Sequence, residues 1–509
     1  MRSASSGSPR LGFPHGRHFA LTWGIADRYG GMTGAMLHRS RAFVRLAGVD
    51  VTVLTLDDRA DYPELEQRMR TSGELVDGLS IRNLWDDLRQ RPVAPQNTRP
   101  EADALLVPME GDTVAEHAGI VLLRERRDAK GSLIGTDRFR RDGTLLATDR
   151  VVDGHRRIVA YDEHGAPLRT WGSSWKLYAW WLDRLTRRGT NFLIVDSKTA
   201  ARFAAGYRRD NVVTVHLVHG AHRKGERAGV LRPSRARVLR RAADFDAVVV
   251  LTERQRADMR ADGVAEGARV RVIPNGIDLD PPAEREHVRG TGVVIASLTA
   301  RKRVEHAAQA VAVAASRSNA VRLDVYGEGE QESALRARIA KDEAEDRIAL
   351  HGFRTDARER FTEADFSLLT STSEGLPLVL AESMAAGCIP IAYDIPYGPS
   401  DVIRDGIDGF VVPAGDVAAI ADRILALQQM PQAQVAAMRH RARVRAAMFA
   451  DRTVTRVWGR ELGAALDAKR LRAVEWKPLR VRMRRRLGIL RRRLGIARRR
   501  LGIIGTRSE

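Results

Sequence analysis

The sequence predicts an α/β protein in which two similar doubly wound domains face each other across a cleft. Two series of short apolar runs rich in β-branched residues support this prediction, because buried parallel strands have this composition. Within 192–276 the runs are FLIVDS, VVTVHLVH, AVVVLT and VRVIPNG. Within 291–414 they are TGVVIAS, VRLDVYGEG, IALHGF, FSLLTS, IPIAYD and GFVVPA. Helical segments separate the runs, and the linker DLDPPAEREHVRG separates the two series.

The first domain opens with a strand over His18–Trp23, a glycine-containing loop, a helix that ends near Leu46, and a second strand over Val49–Asp57. In folds of this kind ligands meet the loops at the carboxyl ends of the strands. Gly30 and Gly31 place no side chain where a ligand would approach. A plain turn that leads into a helix explains these two glycines equally well.

A charged segment with a different pattern interrupts the first domain. Its short alternating runs are separated by Asp142-Gly143, Asp153-Gly154 and His164-Gly165, which are typical of hairpin turns. We therefore predict an antiparallel β-meander inserted over 102–172. It would mediate homo-oligomerisation or polymer binding, or it would simply be a solvated insertion.

These patterns divide the chain into seven predicted segments. They are a disordered leader (1–16), the two parts of the N-terminal Rossmann-like domain (17–101 and 173–282) around the inserted meander (102–172), a C-terminal nucleotide-sugar-binding Rossmann-like domain (283–438), a crossover helix region (439–475) and a basic tail (476–509).

The composition of the chain indicates the cellular compartment of the protein. The chain has 509 residues, and its one cysteine, Cys388, rules out an internal disulfide framework and fits a reducing compartment. It has no apolar run of about 18 residues that could span a membrane. The N-terminus lacks the apolar region of a secretory signal. We therefore predict a cytoplasmic location.

Much of the formal net charge of +21 lies in the tail. Residues 476–509 carry a net +12, and RRRLGIL, RRRLGIA and RRRLGII repeat there every seven residues. A basic and partly apolar tail favours an anionic membrane surface, here the inner face of the plasma membrane. Alternatively, the tail binds an anionic polymer or nucleic acid, or it is simply solvated.

The most informative stretch runs from Leu368 to Ile403. It predicts a strand, a polar turn, a helix from Leu378 to Ala386 that stops at Gly387, and another strand. A helix N-terminus behind a small polar loop is suited to binding phosphate. Glu374 lies just before this helix and Glu382 lies on it, where carboxylates can accept hydrogen bonds from sugar hydroxyls. The stretch therefore predicts a site for a phosphorylated sugar or a nucleotide.

The segment from about His18 to Phe449 resembles retaining glycosyltransferases of GT-B family 4. The resemblance is carried by SEGLP and ESMAAG around the two glutamates, by VIPNGID, VYGEGE, LHGF and DGFVVP. YDIPYGPSDVI, LVHGAHR and the β-meander make it most similar to poly(glycerol-phosphate) α-glucosyltransferases and related wall teichoic acid glycosyltransferases. The fold implied is GT-B, with an antiparallel insertion in the N-terminal domain.

The resemblance also implies roles for individual residues. Glu382 would hold the ribose hydroxyls, Glu374 would face the donor sugar, and Lys302 would balance the charge that develops on the departing diphosphate. The family usually has an arginine where this chain has Ser297, and Arg301 or Arg303 would substitute for it. The remaining implied donor contacts come from the glycine loop and from the backbone around the helix start: Gly30, Gly31, Gly375, Leu376, Pro377, Leu378 and Val379.

Three further residues have competing interpretations. In the family a histidine near His219 faces the donor sugar, although a histidine at a strand end is more often structural; His222 is a weaker candidate of the same kind. Asp196 is interpreted as a helix cap rather than as a catalytic base. His219 and His222 lack the companion ligands of a zinc site. We predict a metal-independent enzyme without a cofactor, because the helix dipole and basic side chains would balance the charge.

The predicted activity is transfer of glucose or N-acetylglucosamine from a UDP-sugar to a hydroxyl of a polyol-phosphate polymer, with retention of the anomeric configuration. An alternative is a family 4 transferase that acts at the membrane on a glycolipid or a capsular polysaccharide precursor. A third possibility is a noncatalytic protein that binds an anionic polymer, and it is supported only by Ser297.

Overall fold

The computed structural model describes residues 10–91, 93–96, 113–117, 119–152, 154–225, 227–279 and 285–472. The predictions for residues 1–9 and for the basic tail over 476–509 lie outside the described residues. Residues 10–16, predicted as disordered leader, are ordered. Phe13 is buried and its ring lies 4.7 Å from that of Phe43, so an apolar side chain holds this segment on the core.

The first elements of the chain form one edge of a parallel sheet and the helices beside it. They are β1 (Arg17–Leu21), α1 (Gly31–Ala42), β2 (Val51–Thr55), α2 (Tyr62–Thr71), β3 (Leu79–Asn83) and α3 (Leu84–Gln90). The predicted strands are present and end earlier than expected, because polar residues such as Asp57 belong to loops. The sequence patterns did not predict α2, β3 or α3.

An antiparallel meander of six strands follows. Its strands are β4 (Thr113–His117), β5 (Ile120–Arg127), β6 (Leu133–Phe139), β7 (Leu145–Val152), β8 (His155–Tyr161) and β9 (Pro167–Trp171). The Arg138 guanidinium fastens the meander to the first domain: it lies 3.7 Å from the centre of the Trp85 ring and forms a salt bridge with Asp58. The predicted antiparallel insertion is confirmed.

The chain then returns to the first sheet. The elements are α4 (Ser174–Leu185), β10 (Asn191–Val195), α5 (Lys198–Ala204), β11 (Val212–Val218), α6 (Pro233–Leu239), β12 (Ala247–Val250), α7 (Glu253–Ala261) and β13 (Val270–Val272). The parallel order is β13-β12-β11-β10-β1-β2-β3. Strands β10, β11 and β12 are buried throughout, as their apolar runs predict.

The second domain repeats the pattern. It contains β14 (Val288–Ile295), α8 (Val304–Ala315), β15 (Arg322–Tyr326), α9 (Glu332–Lys341), β16 (Ile348–Leu350), β17 (Ala364–Leu369), α10 (Leu378–Ala386), β18 (Ile389–Asp394), α11 (Pro399–Val402), β19 (Phe410–Pro413) and α12 (Val417–Gln429). Its parallel order is β16-β15-β14-β17-β18-β19. The predicted fold of two Rossmann-like domains is confirmed.

Two C-terminal helices complete the described chain. The predicted boundary at 438/439 is wrong, because α13 (Gln432–Ala446) starts directly after Pro431 and runs through it without a break. A last helix over 451–472 crosses back to the first domain, where Trp458 packs on Phe43 and Lys469 forms a salt bridge with Asp246. No helix in the described part of the chain is long and apolar enough to cross a membrane.

Candidate functional site

The carboxyl ends of both sheets border one cleft between the domains. A cavity of about 780 Å³ in this cleft is lined from one side by the loops after β10 and β11 and from the other by the loops after β14 and β17. A second cavity of about 710 Å³ adjoins it. Gly31, Arg358, Leu378 and Glu382 line both cavities, so the two volumes are neighbouring parts of one elongated site.

Gly375 brings the two domains together. A Cβ atom at this position would lie 2.1 Å from the carbonyl oxygen of His219, across the cleft. Only a residue without a side chain permits this approach, which places the loop after β17 against the loop after β11. Gly375, Leu376, Pro377, Leu378 and Val379 all line the larger cavity, and their role in donor binding stays a prediction.

Glu374 is the centre of a small charge cluster in the second domain. Its Oε1 accepts from Lys302 Nζ at 2.7 Å, and its Oε2 lies 2.9 Å from an Arg301 guanidinium nitrogen. Burial by itself raises the pKa of Glu374, but the charges of Lys302 and Arg301 outweigh burial and lower it. The carboxylate is therefore ionised and holds both cations at the cavity wall.

Glu382 lies one turn into α10, where it lines both cavities. Burial raises the pKa of its carboxyl group, and the Arg358 guanidinium, 3.0 Å away, opposes that rise. The Arg358 side chain is exposed. A ligand hydroxyl that reaches Glu382 would therefore compete with an exposed ion-pair partner rather than a buried one.

His219 belongs to a buried network in the first domain. Its Nε2 lies 2.8 Å from Asp196 Oδ1, and both Asp196 oxygens accept from the Arg39 guanidinium at 2.8 Å. Burial alone raises the pKa of Asp196, but Arg39 and His219 outweigh it and lower the pKa to about 2. The interpretation of Asp196 as a helix cap is wrong: the Ser197 side chain caps α5, and Asp196 orients His219.

The two glycines of the first domain's loop, Gly30 and Gly31, border open space. A Cβ atom on Gly30 or Gly31 would have no heavy atom within 4 Å, so packing inside the protein does not require glycine there. Gly31 lines both cavities as the first residue of α1, whose initial N–H groups have no acceptor within the helix. This arrangement is compatible with the predicted approach of a phosphate.

Ser297 lines the cavity at the position where an arginine was expected. Of its two candidate substitutes, Arg301 lines the same cavity, whereas the Arg303 guanidinium lies over the Tyr393 ring at 5.8 Å. Arg301 is therefore the substitute that the geometry favours.

The segment from Tyr397 to Asp401, which includes the start of α11, joins the domains away from the cavity. The Tyr397 ring stacks on buried His222, with ring centres 5.8 Å apart, and its hydroxyl donates to Asp258 at 2.8 Å. Asp401 Oδ1 accepts from the backbone N–H of Glu253 at 2.7 Å and so caps α7 of the opposite domain. His222 therefore has a structural place in this interface.

Three cationic residues on the first domain's side of the larger cavity were not predicted from the sequence. Lys198, Arg232 and Arg235 line the larger cavity from the first domain. They come from two segments that are separate in sequence, the start of α5 and the region of α6. The motif LRPSRARVLR shows an excess of arginine, but neither its spacing nor its composition distinguishes a cleft wall from an exposed helix.

No group of histidine, cysteine, aspartate and glutamate side chains within the described ranges could hold a metal ion. Metal independence stays a prediction.

Sequence comparisons place known protein families on both halves of the chain. The family described as Glycosyltransferase Family 4 matches residues 139–281, and the family described as Glycosyl transferases group 1 matches residues 288–446. Together with the two facing Rossmann-like domains, these matches give the chain the two-domain arrangement of the GT-B glycosyltransferases that it resembles. The chain carries a family 4 domain followed by a group 1 domain, and the predicted resemblance is confirmed.

Several characterised proteins are similar to parts or most of the chain. An exopolysaccharide phosphotransferase of Streptomyces coelicolor is 35% identical over 46% of this chain, but the match spans only 24% of that protein's own length. A poly(ribitol-phosphate) α-N-acetylglucosaminyltransferase of Staphylococcus aureus is 22% identical over 78% of this chain and 90% of its own. A poly(glycerol-phosphate) α-glucosyltransferase of Bacillus subtilis is 25% identical over 42% of this chain and 32% of its own.

Solved structures share the fold. The crystal structure of S. aureus TarM has a TM-score of 0.72 at 17% identity, covering 89% of this chain and 99% of TarM. The pneumococcal O-GlcNAc transferase GtfA, solved with UDP and GlcNAc, has a TM-score of 0.64 at 20% identity, covering 89% of this chain and 99% of GtfA.

Proposed function

We propose that this protein transfers glucose or N-acetylglucosamine from a UDP-sugar to a hydroxyl of a polyol-phosphate polymer, with retention of the anomeric configuration. The observation that carries the proposal is the composition of the interdomain cavity. Six cationic side chains line it, against three carboxylates: Lys198, Arg232, Arg235, Arg301, Lys302 and Arg358, against Asp196, Glu374 and Glu382. Such a lining suits a reaction in which donor and acceptor are both anionic.

The donor would lie along α10. Its diphosphate would meet the N-terminus of this helix, where Leu378 and Val379 present the first N–H groups. Lys302 and Arg301 stand beside it, and the ribose hydroxyls would donate to Glu382. The second cavity, which Glu382 also lines, would take the uracil base.

In the reaction the acceptor oxygen forms a bond to the anomeric carbon while the bond from that carbon to the β-phosphate oxygen breaks. The acceptor hydroxyl approaches from the leaving-group side and gives its proton to an oxygen of the departing diphosphate, and UDP is released. Lys302 stabilises the growing negative charge without moving, because Glu374 already holds it in place. His219, held by Asp196, would face the donor sugar.

The acceptor class is supported by the cavity charge and by two relatives whose names specify poly(ribitol-phosphate) and poly(glycerol-phosphate). A neutral acceptor would not need three cations on the first domain's wall. This charge therefore favours an anionic polymer over an uncharged glycolipid or polysaccharide precursor.

The donor site is tested by a screen of UDP-sugars, with UDP release measured with and without polyol-phosphate acceptors. We expect release from UDP-glucose or UDP-N-acetylglucosamine that depends on the acceptor. Glu382→Ala should raise the dissociation constant of the UDP-sugar by about 10-fold or more, the cost of a lost charged hydrogen bond. Glu345→Ala removes an exposed carboxylate and should change nothing. Unchanged donor affinity in Glu382→Ala would refute this placement of the donor.

We also propose that the protein works at the inner face of the plasma membrane and that the basic tail binds its anionic surface. A chain that lacks residues 476–509 should lose binding to vesicles containing anionic lipid while it still glycosylates a dissolved acceptor. Loss of polymer binding with intact vesicle binding would assign the tail to the acceptor instead.

The inserted meander is the element that we propose for homo-oligomerisation. Light scattering gives the number of subunits in the full-length protein and in a variant that lacks the meander. Equal numbers of subunits would refute this role.

A further inference from the structure

Arg232 and Arg235 form a pair of cations on the wall of the first domain. Both line the larger cavity, and the Arg235 guanidinium lies beside Gly220, where a Cβ atom would come within 3.0 Å of it. Gly220 directly follows His219, so the pair stands next to the residue proposed to face the donor sugar. Arg232 comes immediately before α6, and Arg235 lies in its first turn.

These two arginines, like Lys198, differ from the other cations around the larger cavity. Arg301 and Lys302 share Glu374, Arg358 is paired with Glu382, and Arg39 is paired with Asp196. Neither Arg232 nor Arg235 has a carboxylate partner among the residues that the structure describes. The Arg232 Nε donates to the Arg223 carbonyl oxygen at 2.9 Å, which fixes its position without neutralising it.

The pair is electrostatically unfavourable without an anion. Burial, and then the neighbouring charge of Arg232, lower the pKa of Arg235 to about 10. A bound anion would relieve both effects, because it supplies the missing opposite charge and replaces the water that burial has removed. Arginine is also the side chain best suited to hold a phosphate through two parallel hydrogen bonds.

We propose that Arg232 and Arg235 bind the acceptor, by the phosphodiester group next to the hydroxyl that receives the sugar. The inference rests on the proposed function and assigns its acceptor subsite. The donor diphosphate already has the N-terminus of α10 with Arg301 and Lys302 on the opposite domain, so a second anion is left for the first domain. In a polyol-phosphate chain the phosphodiester lies on a carbon close to the free hydroxyl, and binding it positions that hydroxyl beside His219.

Steady-state kinetics of Arg235→Ala and Arg232→Ala test this subsite. With a glycerol-phosphate oligomer as acceptor, each substitution should raise the acceptor KM by about 10- to 100-fold, the loss expected for a charged hydrogen bond. The dissociation constant of the UDP-sugar, measured by calorimetry, should stay within about 2-fold. Arg235→Lys keeps the charge but loses the paired hydrogen bonds, so its KM should be intermediate.

Arg237→Ala is the matched control, because Arg237 lies on the same helix, is exposed and does not line the cavity. It should leave KM and donor affinity unchanged. If Arg237→Ala raises KM by as much as the subsite variants do, the effect comes from general surface charge, and the subsite is overturned. If Arg235→Ala weakens donor binding by as large a factor as it raises the acceptor KM, the pair belongs to the donor site, and the acceptor subsite is overturned.

The proposed function and the subsite fail in different ways. If the unmodified protein transfers no sugar to any polyol-phosphate, the proposed function is wrong. Binding of glycerol 3-phosphate to the UDP-loaded protein still tests the arginines: binding that Arg235→Lys weakens and Arg237→Ala does not would support an anion subsite. Absence of binding would refute it. Arg235→Lys also serves if Arg235→Ala does not fold.

Discussion

The two walls of the cleft are built differently. The wall of the second domain comes largely from one continuous stretch, β17 to α10, and its charges are paired with each other through Glu374 and Glu382. The wall of the first domain is assembled from the start of α1, from the loops after β10 and β11 and from the region of α6, and three of its cations have no carboxylate partner in the described chain. A wall whose cations are already paired with carboxylates suits a ligand of constant chemistry such as a nucleotide. A wall with unpaired cations suits an anionic second substrate, which would supply the missing negative charge.

Lys302→Ala should have the largest effect and would test the catalytic role of the second domain's wall. Without this cation the departing diphosphate loses a fixed positive charge, so kcat should fall by about 100- to 1000-fold. Donor affinity should change much less, since Arg301 and the start of α10 remain. Lys341→Ala, at the exposed end of α9, is the control. A fall in donor affinity that accounts for the whole loss of kcat/KM would show that Lys302 only binds.

Gly375→Ala would test whether the two walls must touch. The new methyl group would lie 2.1 Å from the His219 carbonyl oxygen, so the domains must separate or shift. A displacement of this size should reduce kcat/KM by roughly 100-fold while the melting temperature changes little. Gly463→Ala adds a methyl group in open space on the last helix and should leave activity intact. Full activity of Gly375→Ala would show that the contact is dispensable.

Asp196→Asn would sharpen the contrast in how each wall is held. The folded-state pKa of Asp196, about 2, lies below its ordinary value of 3.8, so its carboxylate stabilises the fold above about pH 4 and this stabilisation is lost as the pH falls towards 2. The difference corresponds to roughly 2 kcal/mol in the free energy of unfolding. Urea denaturation from pH 6 to pH 3 should therefore show a shallower pH dependence for Asp196→Asn than for the unmodified protein. Asp210→Asn, an exposed control, should keep the original slope.

Asp401→Ala should have the smallest effect, on the coupling between the walls. It removes the cap that the second domain provides for α7, which costs about 1 kcal/mol of stability. Asp416→Ala removes a cap within the second domain, on α12, and is the matched control. Calorimetry should show similar losses for both, whereas only Asp401→Ala should lower kcat/KM. If kcat/KM is the same for the two variants, the contact between Asp401 and α7 does not contribute to domain closure.

The second domain's wall could be predicted because its chemistry is local. Gly387, in the left-handed conformation with φ 80°, ends α10 where the sequence indicated, and Glu382 falls one turn inside it. Asp196 could not be interpreted correctly, because its partners Arg39 and His219 lie 157 and 23 residues away in the chain. The same limitation hid α6, whose arginines look like any exposed basic helix until β11 places Gly220 beside them.

The amino-acid sequence by itself determined the two alternating α/β domains, the antiparallel insertion and helix α10, with Glu382 on it and Glu374 just before it. Periodicity, turn residues and helix-ending glycines act over a few residues, so they can be recognised without contacts. The tertiary structure decided which cations remain unpaired at the cleft, which of Arg301 and Arg303 faces the cavity, and why Gly375 has no side chain. These properties depend on distances between segments that are remote in the chain, and only the packing of two domains against each other sets those distances.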